Sequence, residues 1–459
     1  MFGLFKPKCP VSLREKVWTE LRLAWLADQF GLDRMLSSKV VVPTAEFFPD
    51  PYNASELAAR GLLKRVCKLM EVDVARIDFR VRPETEMPDA AGLYEQGERP
   101  TISIEQSQLD DQESLIATLA HEVAHELLIG GKKLQGDEED HEQITDLLMA
   151  FLGIGVFAAN TRVTQTNSLY LRWESWSIKR LGYLTARTLG YSFAAIEWVS
   201  GHTNPAWAEF LGRDPWCAMR DGLRYLDKTD DTLFSEELGD KYIRQRSIDE
   251  VNADLSDDSD SVCVAAMWAL EDLGKDAVNA IDSLVRCLEK RSAEVKREAL
   301  LALGTIGKPV GTAISQIVDS MKSRDDESRA AATIAIGLIC PELDMIGPHG
   351  ASIQEELTIL LDDSSQKVRH AAAGALMAYG PQTANLAPRL MPAFENALVH
   401  CEYEVIRYYT DVLMAIVPDV DPFLRHELAP RDPELYQLAV DILGEQRELQ
   451  NDERGNGQS

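Results

Sequence analysis

Histidine is scarce in this chain: eight residues among 459. Cysteine is equally thin, with seven at positions 9, 67, 217, 263, 287, 340 and 401 and no CxxC pair. An odd, scattered set cannot build a disulfide framework and indicates a reducing compartment. Basic residues are outnumbered, 47 Lys and Arg against 75 Asp and Glu, for a net charge of −28. Such a chain repels phosphate backbones, and no basic stripe offsets this, so no nucleic-acid partner is expected. The apolar runs fall well short of a membrane span, and residues 1–8 lack the apolar core of a signal peptide. The expectation is a cytoplasmic protein with no membrane partner. Its acidity serves solubility and suits basic partners or peptides.

Against that scarcity, two of the eight histidines stand four residues apart in His121-Glu122-Val123-Ala124-His125. Residues four apart share one face of a helix, one turn above each other. Ile116, Ala120, Val123 and Leu127 form an apolar stripe at helical spacing, with Thr118, His121 and His125 on another face. Ser107 with Asp110 reads as a capping box, and Gly130-Gly131 as a stop. Two imidazoles so placed can hold one metal ion, and the glutamate between them can reach a metal-bound water. A tetrahedral zinc site needs a third protein ligand. Separated from His125 by sixteen residues, Glu142 opens a second helical pattern through Ile144, Leu147, Leu148, Phe151 and Leu152. Asp140 with Gln143 reads as its capping box. Asp146 follows one turn after Glu142, placed to accept the free ring N–H of a metal-bound histidine.

Taken together, HExxH, a loop and Glu142-x-Ile-Thr-Asp146-Leu resemble the gluzincin, or thermolysin-like, zinc metallopeptidases over roughly residues 100–160. The resemblance implies zinc held by His121, His125 and Glu142, with Glu122 as general base and Asp146 orienting a ligand histidine. The loop is shorter than in thermolysin-like enzymes, which leaves His141 and Asp146 as alternative third ligands. The oxyanion donor that peptide hydrolysis needs would come from Tyr183, Arg187, Tyr191 or His202.

The rest of the N-terminal half fits one domain over 13–235, after a tail at 1–12. Residues 13–30 and 55–71 read as helices. Pro43, Pro49 and Pro51 mark an irregular segment that packs over the domain through Phe47, Phe48 and Tyr52. Alternation at Ile77, Phe79, Val81 and at Ile102, Ile104 predicts short strands, with Gly92-Leu93-Tyr94 a third. Residues 147–235 are helical and aromatic, with Trp173, Trp176 and Trp198 among them. An acidic stretch at 236–261 reads as a solvated linker.

Beyond it the chain repeats. Ala269-Leu270-Glu271-Asp272-Leu273-Gly274 returns as Ala302-Leu303-Gly304-Thr305-Ile306-Gly307. Further copies begin at Ala335, Ala375 and, more weakly, Val412, at offsets of 33, 33, 40 and 37 residues. Each unit reads as two helices, the second copy spanning 294–306 and 311–321. Val368-Arg369-His370-Ala371-Ala372 and the unit length resemble HEAT repeats over 262–445. Such helix pairs bury their apolar faces only by stacking. Residues 446–459 have nothing to bury and form a disordered tail.

The expected whole is multi-domain: an α+β zincin-like metallopeptidase followed by an all-α HEAT-repeat solenoid. Its expected function is zinc-dependent peptide hydrolysis on a protein or peptide substrate, with a protein partner on the HEAT surface. The alternative is a HEAT-repeat scaffold or regulatory protein whose zinc site is structural or vestigial.

Overall fold

A computed structural model describes residues 7–87, 90–161, 184–238, 241, 242, 244–307, 313–339 and 348–456. The chain forms two compact units that divide between Gln245 and Arg246.

The first unit opens with α1 (Leu13–Phe30), started by a full capping box. The Ser12 hydroxyl accepts from Glu15 N–H at 3.2 Å, and the Glu15 carboxylate accepts from Ser12 N–H at 2.9 Å. Its inner face carries Val17, Leu23 and Leu26, and also a buried ion pair, Lys16 to Glu20 at 3.0 Å. A carboxylate out of water needs every lone pair met. Glu20 meets the requirement by also accepting from the Tyr191 hydroxyl at 2.5 Å and the Leu233 N–H at 2.8 Å. These bonds tie α1 to distant parts of the unit. After α2 (Leu32–Ser37) comes the proline-marked segment. It does pack: Phe48 sits edge-on to Phe157 at 5.5 Å, and the Tyr52 hydroxyl donates to Leu109 O at 2.6 Å. Helix α3 (Glu56–Leu69) starts at the capping Ser55.

Three strands follow: β1 (Asp78–Arg82), β2 (Gly92–Glu95) and β3 (Thr101–Glu105). Their order is β1-β3-β2, with β1 parallel and β2 antiparallel to the central β3. Helix α4 (Gln112–His125) packs on this sheet and continues into a single π turn, Glu126–Gly130. Its cap is Asp111, which accepts from Glu113 and Ser114 N–H. The expected box at Ser107 and Asp110 instead forms a 3-10 turn, held by Glu105 accepting from Ser107 N–H. Helix α5 (His141–Phe151) likewise lacks the expected box. The Asp140 carboxylate accepts instead from Trp18 Nε1 at 2.9 Å and Arg22 Nε at 2.8 Å, pinning the start of α5 to α1. Helices α6 (Val156–Thr161), α7 (Ala186–Val199) and α8 (Arg213–Thr229) complete the unit.

The expected α+β zincin-like domain needs correction on proportion. The sequence alternates at three places, and among the described residues strands form only there, five, four and five residues long. Helices supply most of the other buried apolar residues, so the sheet is a small cover on a mainly helical body.

The second unit is all-helical where described. Its first helix, α9 (Ile248–Asp254), lies inside the stretch read as linker and has its own capping box, Ser247 with Glu250. Val251 and Leu255 are buried, which takes this part of the stretch out of solvent. Helix pairs then succeed one another: α10 (Asp260–Leu273) with α11 (Ile281–Lys290), and α12 (Ala293–Ile306) with α13 (Ile314–Ser320). They continue as α14 (Asp326–Ile339) with α15 (Pro348–Leu360), and α16 (Gln366–Tyr379) with α17 (Ala387–Val399). The last are α18 (Tyr403–Ile416) with α19 (Val420–Glu427), closed by α20 (Pro433–Asn456), which runs on into the segment expected to be disordered.

The repeated Ala-Leu-Gly text has a packing cause. Each first helix lies on the first helix of the next pair. A Cβ on Gly304 would stand 2.9 Å from Ala335 Cα of α14, so α12 and α14 touch backbone to backbone. The closing glycine of the motif has a different duty. Gly307 ends α12 at φ +80°, a conformation that side chains disfavour. Between pairs run charged bonds, best formed where Arg329 grips Asp363 with two bonds of 2.8 Å.

Candidate metal centre

Helices α4 and α5 bring His121, His125 and Glu142 together, their ligand atoms all within 4.8 Å of one another. The ring nitrogens are set by what holds their far sides. His121 Nδ1 lies 3.0 Å from Asp146 Oδ1, which accepts its proton. Asp146 is itself fully buried and fixed, its other oxygen accepting from Leu184 N–H at 2.9 Å. The Thr145 hydroxyl donates to His141 O at 2.7 Å, so its oxygen is left to accept from His125 Nδ1 at 3.3 Å.

With both Nδ1 protonated, both Nε2 atoms carry lone pairs into one space. They stand 3.1 Å apart. Glu142 Oε2 is 2.9 Å from the first and 3.6 Å from the second. Three electron-rich atoms facing each other need a cation between them. Two ligands held at zinc distance around a tetrahedral ion stand about 3.4 Å apart, so the donor set and its spacing fit a zinc ion. A proton can play the same part. Burial alone would lower the His121 pKa, but the Asp146 and Glu142 carboxylates raise it to about 10. Burial pulls the other way at Glu142 too, yet His121, His125 and His141 hold it far below the carboxylate range. Burial lowers the His125 pKa. His141 stands beside the group, its Nε2 3.2 Å from Glu142 Oε1.

Glu122 faces the sheet. A Cβ on Gly92 of β2 would fall 2.4 Å from Glu122 Oε1 and 2.7 Å from Thr118 Cγ2, so only glycine lets the strand lie this close to α4. Burial pushes the Glu122 carboxyl up to about 7, with His121 opposing the shift. One turn on, the Tyr94 hydroxyl of β2 donates to Glu126 Oε2 at 2.7 Å, and the Tyr94 ring stacks beside His125. Thr145, Tyr94 and Gly92 were missed in the sequence. Thr145 could have been found, since it lies one turn from Glu142 on the helix carrying Asp146. The strand residues carry no local sign of the contact.

The four candidate oxyanion donors are placed as follows. Tyr191 is fully buried and bonded to Glu20. The Arg187 guanidinium donates to Pro10 O at 2.7 Å, and His202 pairs with Glu197 at 2.8 Å. Tyr183, like Trp173 and Trp176, lies outside the described residues.

Comparison with known proteins places the family likeness elsewhere in the chain. Residues 248–337 match the family model for HEAT repeats. No curated protein matches the chain. Among solved structures, an engineered protein is 19% identical, covering 44% of this chain and 98% of its own, with a TM-score of 0.34. Computationally designed armadillo repeat proteins for modular peptide recognition are 23% identical over 37% of this chain and 82% of theirs, at 0.30. The complex of CpcE and CpcF of phycocyanin lyase, from a Nostoc species, is 19% identical over 44% and 77%, at 0.30.

The HEAT match corrects the gluzincin reading, and with it the expected zinc metallopeptidase and hydrolase activity. The match falls on the helix pairs of the second unit, in the chain's repeating text. The peptidase reading rested on two short segments, which specify a pair of helices and not the domain around them. None of the described helices is long and apolar enough to cross a membrane.

Proposed function

We propose that this protein is a binding scaffold whose second unit presents a helical-repeat surface to a partner protein, while a zinc ion at His121, His125 and Glu142 clamps α4 to α5. The observation that carries the first part is the succession of helix pairs from α10 to α19, with the HEAT match over 248–337. Stacked pairs leave long solvent-facing rows of helices, the surface such repeats use for partners. The second part is supported by the three converging lone pairs and by the fixed Nδ1 partners of both histidines. A bound ion supplies the positive charge that this buried group needs, and it joins two helices that the chain connects only through a loop. His141, whose Nε2 lies 3.2 Å from Glu142 Oε1, would complete the coordination.

The test is cross-linking of the full-length protein to its partners in intact cells, with the linked residues mapped. Links concentrated on residues 246–456 are expected. Links confined to residues 7–238 would overturn the scaffold reading. Metal analysis tests the clamp separately: wild type should hold one zinc per chain, and His121→Ala should hold none.

A further inference from the structure

Helix α5 begins without a side-chain cap of its own, although its first turn carries both His141 and Glu142. Uncapped helix ends fray readily, and fraying here would displace one ligand of the metal centre and the histidine beside it. What holds this turn is another helix. The Asp140 carboxylate, directly before α5, accepts through one oxygen from Trp18 Nε1 at 2.9 Å and from Arg22 Nε at 2.8 Å, with Arg22 Nη2 2.6 Å away. Trp18 and Arg22 lie one turn apart on α1, and the Trp18 indole is buried. An oxygen so gripped has little freedom, and bonds to a carboxylate are of the strong kind. The Asp140 side chain is only 14% exposed, so salt screens the pair weakly. The preceding loop is tied to the same helix. Lys133 Nζ donates to Gln29 O at 2.8 Å and lies 4.8 Å from the centre of the Phe30 ring. Within the turn His141 is fixed as well. Its Nδ1 donates to Glu138 O at 2.7 Å, which leaves Nε2 to face Glu142.

We infer that Trp18 and Arg22 are positioning residues of the metal centre: acting through Asp140, they hold Glu142 and His141 where an ion needs them, so α1 sets zinc affinity without supplying a ligand. The inference deepens the clamp reading and rests on it. The need is electrostatic. Glu142 Oε2 stands 2.9 Å from one imidazole Nε2 and 3.6 Å from the other. With both nitrogens unprotonated, as an ion requires, that arrangement repels itself, and an untethered turn would relieve the repulsion by unwinding. The anchor on α1 keeps the turn formed beforehand, which removes an ordering cost from binding. Such coupling is reciprocal: if α1 strengthens zinc binding, zinc strengthens the docking of α1 by the same factor.

Competition against a zinc-sensitive dye on the full-length protein tests this. Arg22→Met should weaken zinc binding about tenfold. Arg22→Lys should fall between that variant and wild type, because an ammonium keeps the charge but not the fork. Ser12→Ala controls for a merely structural role. It removes the cap at the start of the same helix, away from Asp140, and should leave zinc affinity unchanged. Hydrogen exchange gives a second readout. Zinc should slow amide exchange over residues 16–26 in wild type. In Arg22→Met it should still slow exchange in α4 and α5, but no longer over residues 16–26. The Arg22 side chain is 34% exposed, so its replacement spares the core, and circular dichroism checks the fold. If Arg22→Met does not fold, Arg22→Lys carries the test. Equal zinc affinity in wild type and the Arg22 variant overturns the inference and leaves the clamp standing, as does an equal loss of affinity in Ser12→Ala. A wild-type protein that holds no zinc overturns the clamp and the inference together.

Discussion

Asp146 never needs to touch a metal ion to govern one. It is buried, it accepts from His121 Nδ1, and the Leu184 N–H holds its other oxygen in place. Asp146→Asn keeps the shape but removes the charge that fixes the histidine. Losing such a partner typically weakens metal affinity about 10–100-fold, and competition against a zinc-sensitive dye should read that loss with the fold intact. A second residue carries a steric prediction. Gly92→Ala drives a methyl into Glu122 and Thr118, so urea unfolding should show a loss of about 1–3 kcal/mol. Legibility at this scale was uneven. The i, i+4 histidine spacing and the later Glu-x-x-x-Asp were readable because helical period alone brings such residues to one face. The caps were misassigned: the residue that caps α4 is Asp111, four positions past Ser107, and Asp140 accepts from Trp18 and Arg22 rather than from its own helix. Contacts such as Tyr94 to Glu126 join residues 32 apart, and no local pattern encodes them.

The elements obey the same division between local and distant causes. Helices α1 and α3 were legible from apolar spacing, and the structure adds a capping serine to each, Ser12 and Ser55. The three strands were legible as alternation, but their order was not, since pairing depends on which edges meet. The acidic stretch misled in part: Val251 and Leu255 are two apolar residues among many charges, yet they suffice to bury one side of α9. In the repeats, small residues explain the helix contacts and yield a clear expectation. Gly304→Leu inserts a side chain where α12 meets Ala335 of α14, and thermal unfolding should show a destabilisation of about 1–3 kcal/mol or more. Acid should loosen the same stack. Burial raises the Asp363 pKa, but the Arg329 fork and the Ser365 N–H lower it further, so the folded value lies below the unfolded one. A depressed carboxyl stabilises the fold above the unfolded pKa, and that contribution disappears as pH falls through the folded value. Unfolding free energy should therefore decline below about pH 4, and less steeply in Asp363→Asn.

For the whole molecule, repetition proved the better guide than motif. The recurring Ala-Leu-Gly text spreads over some 150 residues and constrains packing at every copy, whereas HExxH constrains one helix face. The zincin-like fold and peptidase activity drawn from that face gave way to the HEAT match and a mainly helical first unit. The protein is proposed to work by holding a partner on its repeats. The most direct test compares two full-length variants for recovery of the cross-linked partner complex: Glu122→Gln, and Ile359→Lys combined with Val399→Lys. Glu122→Gln should match wild type, and the repeat-surface variant should lose most of the complex while remaining folded. The reverse pattern, complex intact with the repeat surface changed and function abolished by Glu122→Gln in a folded protein, would contradict it.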